Sequence, residues 1–333
     1  MKDHRFVRTA DMKINDTDSS LITRPDESVF YKGDDPHDPR LGEIVLDVSY
    51  EEADIVILGF PTDEGVTRRG GREGAALAPE AIRREFYKLT PFGIHAKVFD
   101  CGDTKVGADL EETHETHYKL VTQFLQDHKK VIVLGGGNDV SYPDGCAMAE
   151  AFGQKNWIAI NVDSHFDVRD DQQRNSGTPY RQLLEEEHLR PDYFYEVAYQ
   201  PHYASPVYYR YLQDLGVNLV SLDLLRSREA ADTEVRELVR EKFINHSSSL
   251  NTFFGFDLDA VRSSDAPGVS APSPIGLRGG EFLTLVDFAA KLVNTRIIEF
   301  SEVNPKVDVD DRTSKLVAIA MHRFCSSMTR LAI

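Results

Sequence analysis

The sequence predicts an α/β fold around a mostly parallel sheet of about eight strands. From about Asp54 onward, short runs of β-branched and aromatic residues alternate with stretches that carry apolar residues at helical spacing. The chain has 333 residues, of which 41% are hydrophobic, so it can bury a large core. Length alone allows one large domain or two smaller ones. Because the alternation is continuous, we expect a single domain over residues 43–333.

Eight apolar runs are the predicted strands, and five amphipathic stretches are the clearest predicted helices. Before them, residues 1–42 are rich in Asp, Ser, Thr, Lys and Pro without periodicity, which predicts an irregular N-terminal extension. The predicted strands are residues 55–59, 97–100, 130–134, 157–162, 194–198, 218–222, 252–256 and 296–300. The predicted helices are residues 79–89, 110–126, 234–243, 281–293 and 314–331.

The charge and cysteine content restrict the class of function. The chain carries 38 basic and 55 acidic residues, a net charge of −17, and the basic residues are scattered. This disfavours a nucleic-acid or membrane surface and favours a small-molecule substrate. Cys101, Cys146 and Cys325 are odd in number and lack metal-ligand spacing, which is typical of a reducing compartment. The start of the chain lacks the apolar core of a secretory signal, and no stretch approaches the length of a membrane span. We therefore expect a cytoplasmic protein.

Three potential metal ligands, Asp163, His165 and Asp167, stand at alternate positions directly after an apolar run. Asp257 and Asp259 repeat this arrangement later in the chain. On an extended backbone, side chains two residues apart point to the same face. Four carboxylates gathered with one imidazole at one point would raise each other's pKa until some protonate, unless divalent cations neutralise them. The pattern therefore predicts a binuclear metal site.

The alternative for these residues is a purely structural role. Asp at the end of a strand often turns the chain or caps the next helix, and this explains Asp257 and Asp259 by themselves equally well. It does not require His165 or the same alternation twice. Oxygen-rich ligation with one imidazole suits Mn²⁺, Mg²⁺ or Fe²⁺, and the absence of a nearby thiol argues against a structural zinc site. We expect Mn²⁺.

Two further candidates follow the same rule of position. In open parallel sheets, ligands bind beyond the carboxyl ends of the strands. Asn138 follows the strand predicted at residues 130–134, and Glu302 follows the last predicted strand. Asn138 lies in a glycine-rich turn, residues 135–139, that lacks the features of a phosphate-binding loop. Taken without the other candidates, both would have a structural role. The turn would be a tight strand-to-helix connection, and Glu302 would be an ordinary residue at the start of a helix.

Several short motifs occur in a fixed order along the chain. They are Gly59-Phe-Pro61, Gly70-Gly-Arg-Glu-Gly74, Ala78-Pro-Glu-Ala-Ile-Arg83, Gly135-Gly-Gly-Asn-Asp139, Asp163-Ser-His-Phe-Asp167, Phe256-Asp-Leu-Asp259 with Asp265-Ala-Pro-Gly268, and Glu302-Val-Asn-Pro305. Together they resemble the motifs of the arginase and agmatinase family, the ureohydrolases, from about Asp54 to the C-terminus. Within that family, Phe166, Arg169 and residues 176–180 and 266–272 look most like the formiminoglutamase branch.

The resemblance implies a three-layer α/β/α fold and two Mn²⁺ ions per subunit that activate a shared water. Relatives commonly assemble as trimers or hexamers, so it also implies a homo-oligomer. The implied ligands are Asp163 and Asp257 bridging both ions, Asn138 and Asp167 on one ion, and His165 and Asp259 on the other.

The reaction implied by the resemblance is hydrolysis of a C–N bond in a linear amidine. Asp167 would hydrogen-bond the attacking water and carry its proton to the leaving amine. Glu302 would accept hydrogen bonds from the amidine nitrogen, which makes it both a catalytic and a substrate-binding residue. Arg169 would pair with a substrate carboxylate, unless it is only a surface arginine in an acidic loop.

Two positions depart from the arginase pattern. Asn138 stands where the family usually has His, so we expect weaker occupancy of that metal position. Ser176 stands where arginase and agmatinase carry a proton-shuttling His, which suits a formimino group better than a strongly basic guanidine. The substrate that we expect is N-formimino-L-glutamate, an intermediate of histidine degradation, with L-glutamate and formamide as products. The alternatives are hydrolysis of a guanidino acid, or a metal-poor, inactive relative that acts as a binding protein.

The remaining histidines have no ligand spacing. His114 and His117 lie three residues apart on an amphipathic helix, which favours packing over metal binding.

Overall fold

A nine-stranded sheet lies at the centre of the computed structural model, which describes residues 20–226 and 250–328. The strands are β1 (Ile22–Thr23), β2 (Ile55–Gly59), β3 (Val98–Thr104), β4 (Lys130–Leu134), β5 (Trp157–Val162), β6 (Phe194–Tyr199), β7 (Asn218–Ser221), β8 (Asn251–Asp257) and β9 (Thr295–Ser301). Their order across the sheet is β1-β3-β2-β4-β9-β8-β5-β6-β7. All neighbours are parallel except β1, which pairs antiparallel with β3.

All eight predicted strands are present, and β1 is an additional one. The strands at residues 55–59, 130–134 and 157–162 have the predicted ends. Their apolar runs are continuous because both faces of these strands are buried. β1 lies inside the stretch predicted to be irregular, where Ile22 pairs with Thr104. A two-residue edge strand is too short to leave a periodic signal in the sequence.

Helices cover both faces of the sheet. Helices are present at four of the five predicted positions, residues 79–89, 110–126, 281–293 and 314–331. The fifth, residues 234–243, lies outside the described residues. The α-helices of the described residues are α1 (Leu41–Ile44), α2 (Glu64–Arg68), α3 (Ala78–Phe86), α4 (Leu110–Gln126), α5 (Ser141–Phe152), α6 (Pro179–Glu185), α7 (Pro206–Leu215), α8 (Leu222–Arg226), α9 (Gly279–Lys291) and α10 (Arg312–Ser327).

The apolar side chains divide into two cores, one on each face of the sheet. Along β2, Ile55 and Ile57 join the core formed with α3, α9 and α10. Val56 and Leu58, at the alternate positions, join the core formed with α4, α5 and α6. This is the expected three-layer α/β/α arrangement. Among the helices described, none has both the length and the apolar content to cross a bilayer.

The carboxyl ends of four neighbouring strands meet in the middle of one sheet edge. β9, the last strand of the chain, lies between β4 and β8, and β5 follows β8. Leu134, Phe300, Phe256 and Val162, at the ends of these strands, are aligned across the sheet. The segments that leave the strands there carry the predicted site residues, so strand order brings together parts of the chain that are far apart in sequence.

Candidate metal centre

Two clusters of potential metal ligands lie side by side at this edge. The ligand atoms of Asp163, Asp167 and Asp257 are all within 4.8 Å of one another, and so are those of Asp163, His165 and Asp259. The four carboxylates are buried, and His165 is partly exposed. Asp163 belongs to both clusters. All five residues from the two alternating patterns therefore converge.

The same local turn places the ligands of both patterns. The Oδ1 atom of Asp163 accepts a hydrogen bond of 2.7 Å from the backbone N of His165. Asp257, the last residue of β8, accepts one of 2.8 Å from the backbone N of Asp259. Each first carboxylate thus caps the turn that follows its strand. The structural role considered for these residues is present, and it is the means by which the second ligand is brought beside the first.

The electrostatics of the clusters favour a cation. Within the described residues, no lysine or arginine forms an ion pair with these four carboxylates. Two of them are paired with His165, whose Nδ1 lies 3.5 Å from Asp163 Oδ1 and 3.1 Å from Asp259 Oδ2. Burial opposes protonation of the imidazole, but the carboxylates of Asp259 and Asp163 raise the pKa of His165 to about 12. Burial and nearby acidic groups raise the pKa of Asp163 and of Asp257. Hard oxygen donors and one imidazole, desolvated and short of positive charge, are the donor set that suits a pair of divalent cations.

Two residues of the site have left-handed backbone. Asp167 has a φ of 45° and Glu302 a φ of 63°. Such a conformation costs a residue other than glycine about 1–3 kcal/mol, and it is found mainly at functional positions. The backbone is held by hydrogen bonds, from Tyr180 N to Asp167 O at 3.3 Å and from Glu302 N to Gly136 O at 2.8 Å. Asp167 and Glu302, the two residues predicted to be catalytic, are thus two of the seven described residues other than glycine that have this conformation.

Asn138 is buried beside the first cluster. Its Nδ2 donates to Asp167 Oδ2 at 2.8 Å, and its Oδ1 accepts from Ser301 Oγ at 2.8 Å and Ser141 Oγ at 3.2 Å. The amide nitrogen, rather than the oxygen, thus faces the carboxylates. Rotation of the side-chain amide by 180° would direct Oδ1 toward the cluster. Nδ2 would then face the hydroxyls of Ser141 and Ser301, which can accept hydrogen bonds as well as donate them. The role of Asn138 as a metal ligand stays a prediction. Ser141 and Ser301 are the groups that can hydrogen-bond its amide in either orientation.

A cavity of about 250 Å³ opens onto the carboxylates. Asp167, Glu302 and Ser176 line it, together with Arg69 and Ser270. Burial raises the pKa of Glu302 to about 8, although its side chain accepts a hydrogen bond from Asn138 N at 2.9 Å. Burial also raises the pKa of Asp167 to about 6, against which the positive charge of Arg69 acts. The cavity is therefore lined both by acidic residues and by the basic residue Arg69.

Arg169 is placed differently from the other predicted substrate-binding residues. It is partly exposed and is not among the residues that line the cavity. Its backbone N donates to Gly177 O at 2.8 Å, and its side chain lies against Gly177, next to Ser176. The cavity residue that sequence reasoning missed is Arg69. Its only sequence signal was its place before the glycine pair Gly70-Gly71.

The two histidines of α4 lie in the core beneath the site. His114 Nε2 is 2.9 Å from Asp139 Oδ2, and His117 Nε2 is 3.1 Å from Asp144 Oδ1. Burial holds the pKa of His114 well below its usual value. Both rings are fully buried, which agrees with the prediction that they pack in the core. Their acidic partners on the segment after β4 were not predicted, because nothing in the sequence links α4 to that segment.

Known proteins of one family are similar to this chain. A family model described as the arginase family matches residues 53–326. Formimidoylglutamase from Staphylococcus carnosus is 34% identical over 275 residues, which are 80% of this chain and 84% of the relative. Formiminoglutamase from Trypanosoma cruzi, solved with Mn²⁺₂, is 36% identical and superposes with a TM-score of 0.79 over 87% of this chain and 98% of that one. Formimidoylglutamase from Bacillus subtilis, at 23% identity and a TM-score of 0.78, shares the fold over 97% of this chain and 96% of its own.

Proposed function

This chain belongs to the arginase family, and from that premise we propose that it is a Mn²⁺-dependent hydrolase that converts N-formimino-L-glutamate and water to L-glutamate and formamide. The observation that carries the proposal is the pair of ligand clusters that share Asp163, because the other four residues of these clusters line the cavity. Similarity to formimidoylglutamases over most of the chain selects the formimino substrate within the family.

Two Mn²⁺ ions would be held by residues from both clusters. The presence of Asp163 in each cluster supports its role as a bridging ligand, and Asp257 is the second bridging carboxylate of the proposal. When bound, the Mn²⁺ pair supplies a water that is nucleophilic at neutral pH. The proposed ligands are Asn138, Asp163, His165, Asp167, Asp257 and Asp259.

Asp167 is the proposed proton carrier. Burial raises its pKa to about 6 in the absence of metal, and a carboxylate that binds a metal ion through one oxygen keeps the other oxygen free to take up and release a proton during turnover. Its carboxylate lines the cavity, where it can take a proton from the attacking water. It then delivers that proton to the nitrogen of glutamate as the C–N bond breaks. Without this transfer the leaving group would depart as an unstable amide anion.

Glu302 orients the amidine. In its ionised form, it accepts charge-assisted hydrogen bonds from the N–H groups of a protonated formimino group. The backbone N of Asn138 already donates to its Oε1, which fixes one carboxylate oxygen and leaves the other for substrate. Glu302 follows β9, which lies between β4 and β8 in the sheet. It therefore approaches the substrate from a different segment than Asp167 does, because Asp167 follows β5.

Ser176 and Arg169 are the proposed contacts for the carboxylate groups of the substrate. Ser176 lines the cavity, and its hydroxyl is a hydrogen-bond donor without positive charge. Arg169 lies across the adjacent Gly177, where its guanidinium suits a carboxylate and repels the cationic tail of agmatine. This chemistry supports an acidic amidine as the substrate.

Mn²⁺ binding is expected to strengthen as the pH rises from about 6 to about 8. The pKa of His165 is raised to about 12, because Asp259 and Asp163 outweigh the effect of burial, and burial raises that of Asp167 to about 6. Ligation needs a neutral imidazole and ionised carboxylates, so binding releases protons. For each proton released, Kd falls about tenfold per pH unit. Calorimetric titrations in buffers of different ionisation enthalpy measure both Kd and proton release, and a Kd that does not change with pH would contradict the assignment.

The function is tested by turnover after controlled metal loading. The protein is stripped with chelator, reloaded with Mn²⁺, and assayed for glutamate release from N-formimino-L-glutamate, with arginine, agmatine and guanidino acids in parallel. We expect Mn²⁺-dependent hydrolysis of the formimino substrate alone. Hydrolysis of a guanidino acid instead would overturn the substrate but keep the reaction class, and inactivity toward all substrates with substoichiometric Mn²⁺ would indicate a binding protein.

The location and the assembly of the protein belong to the same proposal. We propose a cytoplasmic location, which the three free and buried cysteines support because they are typical of a reducing compartment. We also propose a homo-oligomer, a trimer or a hexamer, and light scattering of the purified protein distinguishes these from a monomer.

A further inference from the structure

Two arginine side chains converge above Gly177. A methyl group placed on Gly177 would lie 2.8 Å from Arg69 Nη1 and 2.7 Å from Arg169 Cδ. Within the described residues, neither guanidinium forms an ion pair with an acidic side chain. The preceding arginine, Arg68, contrasts with them, because it forms two hydrogen bonds of 2.7 Å with Glu111. Two like charges that are held together without a counter-charge are the arrangement expected of an anion site.

The backbone holds this arrangement in place. Arg69 follows α2, where its N donates to Val66 O at 3.2 Å and closes the helix end. The loop that carries Gly177 is tied to the same helix by a hydrogen bond of 3.1 Å from Ser176 N to Gly65 O. A side chain on Gly177 would occupy the space where the two arginine side chains meet, so glycine leaves room for both. The segments that carry the two arginines are therefore tied together by backbone hydrogen bonds, and both side chains reach the same place beside Gly177.

The cavity connects this pair to the metal clusters. Arg69 is exposed and lines the same cavity as the buried carboxylates of Asp167 and Asp257. Arg69 is thus at the rim, and the acidic groups are at the floor. If the formimino carbon of the substrate is at the floor, the carboxylate farthest from it is the one that reaches the rim.

We propose that Arg69 and Arg169 together bind the side-chain carboxylate of the substrate, which makes Arg69 a specificity-determining residue. This inference rests on the proposed function. Guanidinium groups bind carboxylates through paired N–H donors, and two of them can contact both oxygens from two directions. An amidine that lacks this second carboxylate would leave two cations unpaired beside each other, so the pair selects for dicarboxylate substrates.

The test compares two substrates in one variant. Arg69→Gln is assayed with N-formimino-L-glutamate and with N-formimino-L-norvaline, in which a methyl group replaces the side-chain carboxylate. We expect KM for the glutamate substrate to rise about tenfold or more, with kcat little changed, and KM for the norvaline substrate to stay the same. Arg69→Lys should restore part of the loss. Arg210→Gln, at an exposed arginine of α7, is the matched control and should change neither substrate.

An equal loss with both substrates, or no loss with either, overturns the role of Arg69. Failure of the proposed function is recognised separately, by absence of N-formimino-L-glutamate turnover in the wild type. In that case, calorimetric titration of the Mn²⁺-loaded proteins with L-glutamate still tests the pair. Weaker binding by Arg69→Gln than by the wild type supports it, and equal affinities, or no binding by the wild type, overturn it.

Discussion

Replacing Asp163 with Ala is expected to abolish both Mn²⁺ sites and, with them, hydrolysis of N-formimino-L-glutamate. Asp163 is the one residue that belongs to both ligand clusters, so its loss removes a ligand from each ion at once. The fold should tolerate the change, because burial raises the pKa of this carboxylate and its removal leaves no new buried charge. Metal content after dialysis against Mn²⁺ is measured by atomic spectroscopy, and the fold by circular dichroism.

The control is Asp214→Ala, which removes an exposed carboxylate on α7 and should keep both ions and full activity. If Asp163→Ala retains two bound Mn²⁺ ions, Asp163 does not bridge them. If it retains one, the two clusters have separate ligands, and the remaining ion can be assigned by combining the variant with a substitution of Asp259.

The second large effect is expected from Glu302→Gln. Glutamine keeps the oxygen that accepts the hydrogen bond from Asn138 N but loses the negative charge that pairs with a protonated amidine. Loss of such a charged hydrogen bond costs about 1.5–3 kcal/mol, so kcat/KM should fall about ten- to a hundredfold. Steady-state kinetics with N-formimino-L-glutamate measure the change, and Mn²⁺ content should equal that of the wild type.

Glu51→Gln is the control for this substitution, because it makes the same chemical change at an exposed position far from the cavity in the fold. Unchanged kcat/KM in Glu302→Gln would exclude a contact with substrate. Loss of Mn²⁺ would instead move Glu302 from substrate orientation to metal binding.

The strands were predictable because both faces of the sheet are buried. β2, β4 and β5 appear in the sequence as largely apolar runs, and their ends agree with the prediction. The helix α5 was not predicted, since Pro143 and Gly145 interrupt the pattern near its start. Its side chains are buried almost all round, so the polar face that marks an amphipathic helix is missing.

The metal clusters were predictable for a different reason. Their ligands occur as alternating charges after apolar runs, and the turn that follows each strand brings the second ligand beside the first. The different environments of two neighbouring arginines could not be predicted in this way. Arg68 and Arg69 are neighbours of the same residue type, yet one pairs with Glu111 and the other lies at the rim of the cavity. That difference depends on the position of α4 and of the loop at Gly177, which are tertiary contacts without a local signature.

The place of β9 in the sheet has a consequence for how the enzyme is made. β1 to β4 are contiguous on one side of it, β5 to β8 on the other, and β9 is the strand that joins them. The acidic ligands all lie at the end of β8 or in the segments that follow β5 and β8, whereas Glu302 follows β9. On the ribosome, the nascent chain can therefore gather its carboxylates before the residue that orients the substrate has been synthesised. We expect metal capture and catalytic competence to be separate events in the biogenesis of this protein, with two open sheet edges exposed to chaperones in the interval between them.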